Sequence, residues 1–433
     1  MSGSIRSVSA AQVAESLGQF GRPLLDTRPA DAYNGWRLGG EPRGGHVPSA
    51  RSLPAKWTRY IDWPDILEAK GIRPDQSPIL YGYDEAETWA VAELFVRAGY
   101  REVSVLSSFV EAWSAQPSLP MWHLPRHRHL VPAGWLWTLI QGDAGPDDSI
   151  GRFVVCHAHF RNRAAYDEGH IPGAIALDTN QLESPQDWNR RPPDELRAAL
   201  EKAGITSDTT VILYGRTSLA AADDPFPGSS AGQLAAMRCA HILLYAGVKD
   251  VRVLNGGLQA WVDAGFETTT AESLPRPIAD FGAAIPGMPE LFVDLPRARE
   301  ILRSPGENLV CVRSWPEFIG QVSGYNYIEK KGRIPGAVFG NCGSDAYHME
   351  NYRNLDETAR EYHEIVAAWG RAGVTSDKFN AFYCGTGWRA SEAFFTAWLL
   401  DWPRIAVFDG GWFEWSKDDA NPRETGLPSE CAS

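Results

Sequence analysis

The sequence has no C-x-x-C pair, no apolar run of membrane-spanning length and no surplus of positive charge, and each absence removes a class of function. Six cysteines, at 156, 239, 311, 342, 384 and 431, are scattered along 433 residues. Neither a disulfide framework nor a structural zinc site is indicated, and free thiols are expected. No stretch approaches the ~20 apolar residues of a membrane span, and the opening "MSGSIRSVSAAQVAESLGQFG" has no continuous apolar core of a secretory signal. A cytoplasmic protein without membrane contact is therefore expected. A formal net charge of -13 and a pI near 5.3 argue against a broad phosphate-binding face, so nucleic acid is not an expected partner. Histidines gather in "MWHLPRHRHLVP" (His123, His127, His129) and "VVCHAHF" (His157, His159). These read as a solvated linker and a strand end, so no metal is expected.

What the chain does have is ordinary globular composition, 44% hydrophobic and 22% charged, at a length that suggests two to four domains. It also repeats itself three times. Arg28, Arg161 and Arg313 are each followed five residues later by an aromatic, Tyr33, Tyr166 and Phe318. A turn follows in each copy: Gly45-His46-Val47-Pro48, Gly169-His170-Ile171-Pro172 and Gly332-Arg333-Ile334-Pro335. Each copy later has an apolar strand ending in a tyrosine (Tyr81, Tyr214, Tyr383), a helical stretch, another short strand and a closing tryptophan (Trp113, Trp261, Trp415). Short strands alternating with helical patterns predict α/β domains, each a mainly parallel sheet flanked by helices. Proline-rich polar stretches place the boundaries, giving domains over 1–124, 125–275 and 276–433.

Aligning the three tyrosine-ended strands singles out one residue. After the tyrosine come Gly82, Gly215 and Cys384, so only the third copy carries a thiol. In open parallel sheets ligands bind where the carboxyl end of a strand passes into a helix. The segment "YCGTGWRAS" places Cys384 there, with Gly385 and Gly387 permitting a tight turn. The amides of Gly385, Thr386, Gly387, Trp388 and Arg389 can converge on an anion at the helix N-terminus and favour a thiolate. Arg389 adds a planar fork suited to an oxyanion. A buried packing cysteine is the bland alternative, and the glycines, helix and arginine weigh against it.

"CGTGWR" at 384–389, with "GHIPGA" at 169–174 and its variant "GRIPGA" at 332–337, resembles the rhodanese superfamily of sulfurtransferases, whose loop cysteine carries sulfur. The loop is similar to that of three-domain bacterial thiosulfate sulfurtransferases. The resemblance covers the whole chain and implies a Cys384 persulfide, two inactive copies before it, and no cofactor. It implies a small sulfur donor such as thiosulfate, and a thiol, cyanide or a protein as sulfur acceptor. Arg313 and Arg333 are further candidates for donor binding, although the counterparts of Arg313 in thiol-free copies favour a structural role for it. Glu317 stands where the two-domain relatives place a substrate arginine, which weighs against mercaptopyruvate as donor. The insertion "GQVSGYNYIEKKGRIPG" brings Tyr325, Tyr327, Lys330, Lys331 and Arg333 to a flap or substrate entrance. Cys311 and Cys342 are expected to pack, and Asp409, Trp412 and Trp415 to close the third domain. The segment after Gly215 reads as a surface or interdomain insertion. Two rival readings remain: a noncatalytic scaffold, and a cysteine phosphatase. The latter's loop needs five residues between cysteine and arginine; this one has four.

Overall fold

A computed structural model describes residues 3–19, 21–142, 150–216 and 232–428. The insertion expected after Gly215 lies largely outside them, at 217–231. The chain divides into two compact units, Met1–Arg128 and His129–Ser433. The first unit holds one sheet, of β1 (Ser4–Val8), β2 (Leu24–Asp26), β3 (Arg51–Ser52), β4 (Ile79–Tyr81) and β5 (Glu102–Leu106). Its order is β1-β5-β4-β2-β3 and every pairing is parallel.

The second unit repeats this arrangement twice. One sheet comprises β6 (Leu130–Val131), β7 (Phe153–His159), β8 (Ile175–Asp178), β9 (Thr210–Tyr214) and β10 (Asp250–Leu254). The other comprises β11 (Phe292–Val293), β12 (Glu307–Cys311), β13 (Val338–Phe339), β14 (Phe379–Tyr383) and β15 (Ile405–Phe408). Their orders are β6-β10-β9-β7-β8 and β11-β15-β14-β12-β13, the same pattern as the first. The tyrosine-ended strands are central in every sheet, which is why they read as apolar runs: both faces are covered by helices.

Register corrects one part of the repeat. Asp26 pairs with Tyr81, His157 with Tyr214 and Cys311 with Tyr383. The counterparts of Arg28 and Arg313 two residues on is thus His159, not Arg161, and the aspartate position is held by His157. Arg161 is an exposed residue with a φ of 56°, past the strand end. Two extra residues before Tyr166 preserve the aromatic spacing from Arg161 and hide the offset.

The other repeat landmarks do equivalent work. His46 stacks on Tyr33 and His170 on Tyr166 with ring centroids 3.6 Å apart. In the third copy the Arg333 guanidinium takes this place over Phe318, at 5.2 Å. Trp113, Trp261 and Trp415 are buried, and each indole N–H donates to a carbonyl six or seven residues on, at Pro120, Glu267 and Pro422.

Within the second unit, two helices lie back to back. Gly232–Ala246 follows β9 and its partner Trp388–Leu399 follows β14. The first, "GQLAAMRCAHILLYA", is buried along its whole length. A helix buried on all sides and largely apolar needs cover on all sides, and its small residues let the Trp388–Leu399 helix approach closely.

Candidate active site

Cys384 is fully buried at the carboxyl end of β14. Residues 384–387 make the turn, and Gly387, with a φ of 90°, leads into the Trp388–Leu399 helix. The loop's outer edge is fixed from the next turn, where the amides of Trp412 and Phe413 donate to the carbonyls of Cys384 (2.8 Å) and Gly385 (3.0 Å). Pulling the carbonyls outward leaves the amides inward. Among the described residues, none of the amides at 385–390 donates to a protein acceptor, as an anion-receiving helix start requires.

Tyr325, from the insertion, covers this loop. A Cβ on Gly385 would fall 2.3 Å from its ring, so the glycine is demanded by close approach. Tyr325 and Tyr327 both lie near Cys384, and Tyr327 sits beside Thr386. Burial raises both phenols above their ordinary value, so they are neutral donors at neutral pH. The basic half of the insertion turns away: Lys330 pairs with Asp419, and Lys331 donates to the Gln321 carbonyl at 3.1 Å.

Arg389 is placed differently from the open fork expected. It is 1% exposed, and its two terminal nitrogens meet both Glu317 oxygens at 2.9 Å. The same nitrogens reach the Asp345 carbonyl (3.0 Å), Cys342 Sγ (3.3 Å) and the Tyr325 hydroxyl (2.6 Å). Burial pushes the Glu317 carboxyl up, but Arg389, Arg313 and the Ser314 hydroxyl outweigh it and hold the group below its ordinary range. Glu317 thus neutralises Arg389, which also donates to the hydroxyl of the Tyr325 that covers the loop.

The remaining candidates divide. Arg313 is buried, donates to the Gly332 carbonyl at 2.6 Å and packs over Trp412. Arg28 makes the same bond to Gly45 at 2.5 Å, so both arginines fasten the turn. Arg333 donates to the Gly426 carbonyl (2.6 Å) and pairs with Glu424 (3.1 Å), which fastens the C-terminal segment. Trp388 points to the second sheet's domain, where its indole N–H donates to Glu183 (3.0 Å) and its ring meets Phe160 edge-on. Cys342 is buried, and burial pushes its thiol up to about 12.

Asp409 was expected to pack within its own domain; instead it is an interdomain ion-pair partner. It accepts from Arg190 (2.9 Å) and Arg238 (2.7 Å), and Arg238 also holds Glu183 at 2.9 Å. Sequence reasoning missed Glu183 and Arg238. The signal available was a lone arginine inside a largely apolar helix, which must find carboxylates when buried.

A Rhodanese-like domain model matches residues 9–116, 159–264 and 295–418. This chain belongs to the rhodanese family. It is 40% identical over 418 residues to the thiosulfate sulfurtransferase YnjE of Escherichia coli (strain K12), spanning 95% of this chain and 91% of that one. Solved structures of EanB superpose with TM-scores of 0.96 and 0.97 at 53% and 52% identity, covering 98–99% of this chain and all of theirs. One carries a cysteine persulfide with ergothioneine in a tetrahedral intermediate state, and another is a complex with hercynine. The EanB positions named in these and one further structure are the persulfide cysteine, a threonine, a tyrosine and two other cysteines. Every interval among them recurs here in Cys384, Thr386, Tyr325, Cys311 and Cys342. As a rhodanese-type sulfurtransferase, the protein has three five-stranded domains and the family's loop cysteine in the third alone. Among the described residues no helix is long and apolar enough to cross a membrane.

Proposed function

We propose that Cys384 carries a persulfide and delivers its outer sulfur to the imidazole carbon of a hercynine-type acceptor. Thiosulfate or a similar sulfane-sulfur donor recharges the cysteine. In this reading the domains at 1–124 and 125–275 contain no nucleophile and that at 276–433 is catalytic. Space supports the assignment: a Cβ at Gly82 would lie 2.5 Å from the Thr27 and Thr88 hydroxyls, and one at Gly215 would overlap Gly232.

In the first step the Cys384 thiolate attacks the sulfane sulfur of the donor, the donor S–S bond breaks and sulfite leaves with the electron pair. Amides at Gly385, Thr386, Gly387, Trp388 and Arg389 stabilise the resulting persulfide anion. In the second step the acceptor carbon bonds the outer sulfur, the persulfide S–S bond breaks and its pair returns to Cys384. The carbon's proton is lost and an imidazole nitrogen gains one, giving a thione. The transferred sulfur is already at the sulfane level, so no outside oxidant or reductant enters.

The observation that carries this reading is the shared spacing of Cys384, Thr386 and Tyr325 with the EanB positions, together with their convergence on one loop. Tyr325 and Tyr327 also offer aromatic faces of the kind that attract a quaternary ammonium group, which hercynine has. Thiosulfate as donor is favoured by the relation to YnjE and the amide nest, with Arg389 as a support for Tyr325 and not a donor-binding group. The test is intact-mass measurement after thiosulfate treatment, then after hercynine addition, with ergothioneine quantified. A one-sulfur adduct on Cys384 that hercynine discharges to ergothioneine is expected. An adduct removed only by cyanide or thiols would leave a sulfurtransferase with a different acceptor, and no adduct from any sulfane donor would favour the scaffold.

A further inference from the structure

Arg238 lies in the Gly232–Ala246 helix of a domain with no thiol, yet its guanidinium is fully buried against the Cys384 loop. Three of its contacts are committed: Nε to Glu183 (2.9 Å), and Nη2 to the Trp188 carbonyl (2.8 Å) and Asp409 (2.7 Å). The remaining nitrogen, Nη1, has no acceptor among the described residues. It is aimed at Gly387, where a Cβ would fall 2.9 Å from it. A packing role alone would not require a cation there, since a buried guanidinium with one nitrogen left without an acceptor is unfavourable.

The same group organises the loop's two flanks. Asp409 sits at the end of β15, immediately before the turn whose amides at 412 and 413 hold the carbonyls of Cys384 and Gly385. Glu183 binds the indole of Trp388, the first residue of the loop's helix. Arg238 therefore ties the carbonyl-holding turn and the tryptophan to one rigid fork, whose remaining nitrogen lies against Gly387.

Resting on the proposed role of Cys384, we infer that Arg238 is a positioning residue for sulfur transfer, supplied by the thiol-free second domain, which holds the loop amides converged on the persulfide. Only a planar fork with donors in fixed directions meets Glu183, the Trp188 carbonyl and Asp409 together while packing against Gly387. Lysine can keep the charge but not the geometry. This assigns the second domain a part in the chemistry through the loop and not through substrate contact.

The experiment uses the full chain, with Arg238→Lys, Arg238→Met and the charge-balanced pair Arg238→Met with Glu183→Gln, in which Asp409 keeps Arg190. Persulfide formation from thiosulfate is followed by intact mass in single turnover, and steady-state transfer gives kcat and KM. Asn255→Ala is the control for general loosening of the domain contact, because Asn255 accepts from the Ala359 amide at 2.7 Å away from the loop. The expected result is a ~10–100-fold fall in persulfide formation and kcat for all three Arg238 variants. KM for the acceptor should stay within twofold, and added guanidinium ion should restore part of the rate in Arg238→Met. Asn255→Ala should keep the wild-type rate. Wild-type kinetics in folded Arg238→Met with Glu183→Gln, or an equal loss in Asn255→Ala, would overturn the inference. Failure of the wild-type protein to gain sulfur would instead refute the proposed role of Cys384.

Discussion

Gly385→Ala is the sharpest test of the loop geometry. The added Cβ would lie 2.3, 2.4 and 2.5 Å from Cε2, Cζ and the hydroxyl oxygen of Tyr325. Ordinary carbon contacts are about 3.5–4.0 Å, so the ring must retreat by about 1.2 Å or more. Its hydroxyl now accepts from Arg389 at 2.6 Å. The same retreat would stretch that distance to about 3.8 Å, beyond hydrogen bonding. Overpacking of this kind costs about 1–3 kcal/mol, and displacing a positioned group by ~1 Å costs on the order of 10²-fold in rate. The assay is single-turnover discharge of preformed Cys384 persulfide beside thermal unfolding. Gly385→Ala should slow discharge by about 10²-fold and lower the melting temperature. Combining it with Tyr325→Ala removes the clash, so the double variant should be more stable than the sum of the single effects by about 1–2 kcal/mol. Wild-type rate and stability in Gly385→Ala, or strict additivity in the pair, would refute a Tyr325 ring seated on the loop.

Three further outcomes are expected. Cys384→Ser should abolish sulfur loading with little change in unfolding temperature; activity above a few per cent would implicate Cys311 or Cys342. Arg389→Ala should destabilise by about 3–5 kcal/mol, since it leaves Glu317 buried without its partner, and should lower the transfer rate through loss of Tyr325 placement. A raised thiosulfate KM at unchanged stability would instead show direct donor binding. His157 and His241 are buried, and burial lowers both to about 3, with nearby positive charge contributing at each. Because the unfolded chain takes up these protons near pH 6.5 and the folded chain refuses them, stability is full above that pH and lost as pH falls toward 3. The limiting slope is about 1.4 kcal/mol per pH unit for each histidine. Melting temperatures between pH 6.5 and 5 should fall, and fall less in His241→Gln. The carboxyls of Glu317 and Asp409, held below their ordinary range, stay ionised in that window and do not confuse the reading.

The parallel sheets are legible in the sequence because their central strands are short apolar runs between turn residues, and because three copies make each landmark checkable. Cys384 is legible for a related reason: its two counterparts are glycines, so the repeat itself marks the odd residue. The offset at Arg161 is hidden by the repeat itself. A two-residue lengthening beyond a strand end leaves spacing within the copy intact, and only strand register, His157 against Tyr214, reveals it. Arg389 shows a second failure. Residue type and loop position both suggest a free cation, but whether a guanidinium is free depends on what lies across from it, and Glu317 is 72 residues away in the chain.

The contacts hardest to read from sequence are those between the second and third domains, and physics gives the reason. Arg238 and Asp409 are 171 residues apart, and neither belongs to a motif, because an ion pair constrains only charge and reach. What sequence can supply is the demand: one arginine, the helix's only permanently charged residue, must be neutralised once that helix is buried on all sides. What it cannot supply is the answer to that demand, since Glu183, Asp409 and many other carboxylates would satisfy it. The repeat narrows the choice afterwards. Asp409 follows β15, Asn255 follows the equivalent β10, and Ser107 follows β5. Only the third domain places a carboxylate at this position, and it is the domain whose loop carries the thiol. A charge present at one of three equivalent strand ends, opposite a lone arginine on the helix packed against that loop, joins the second domain to the chemistry of the third.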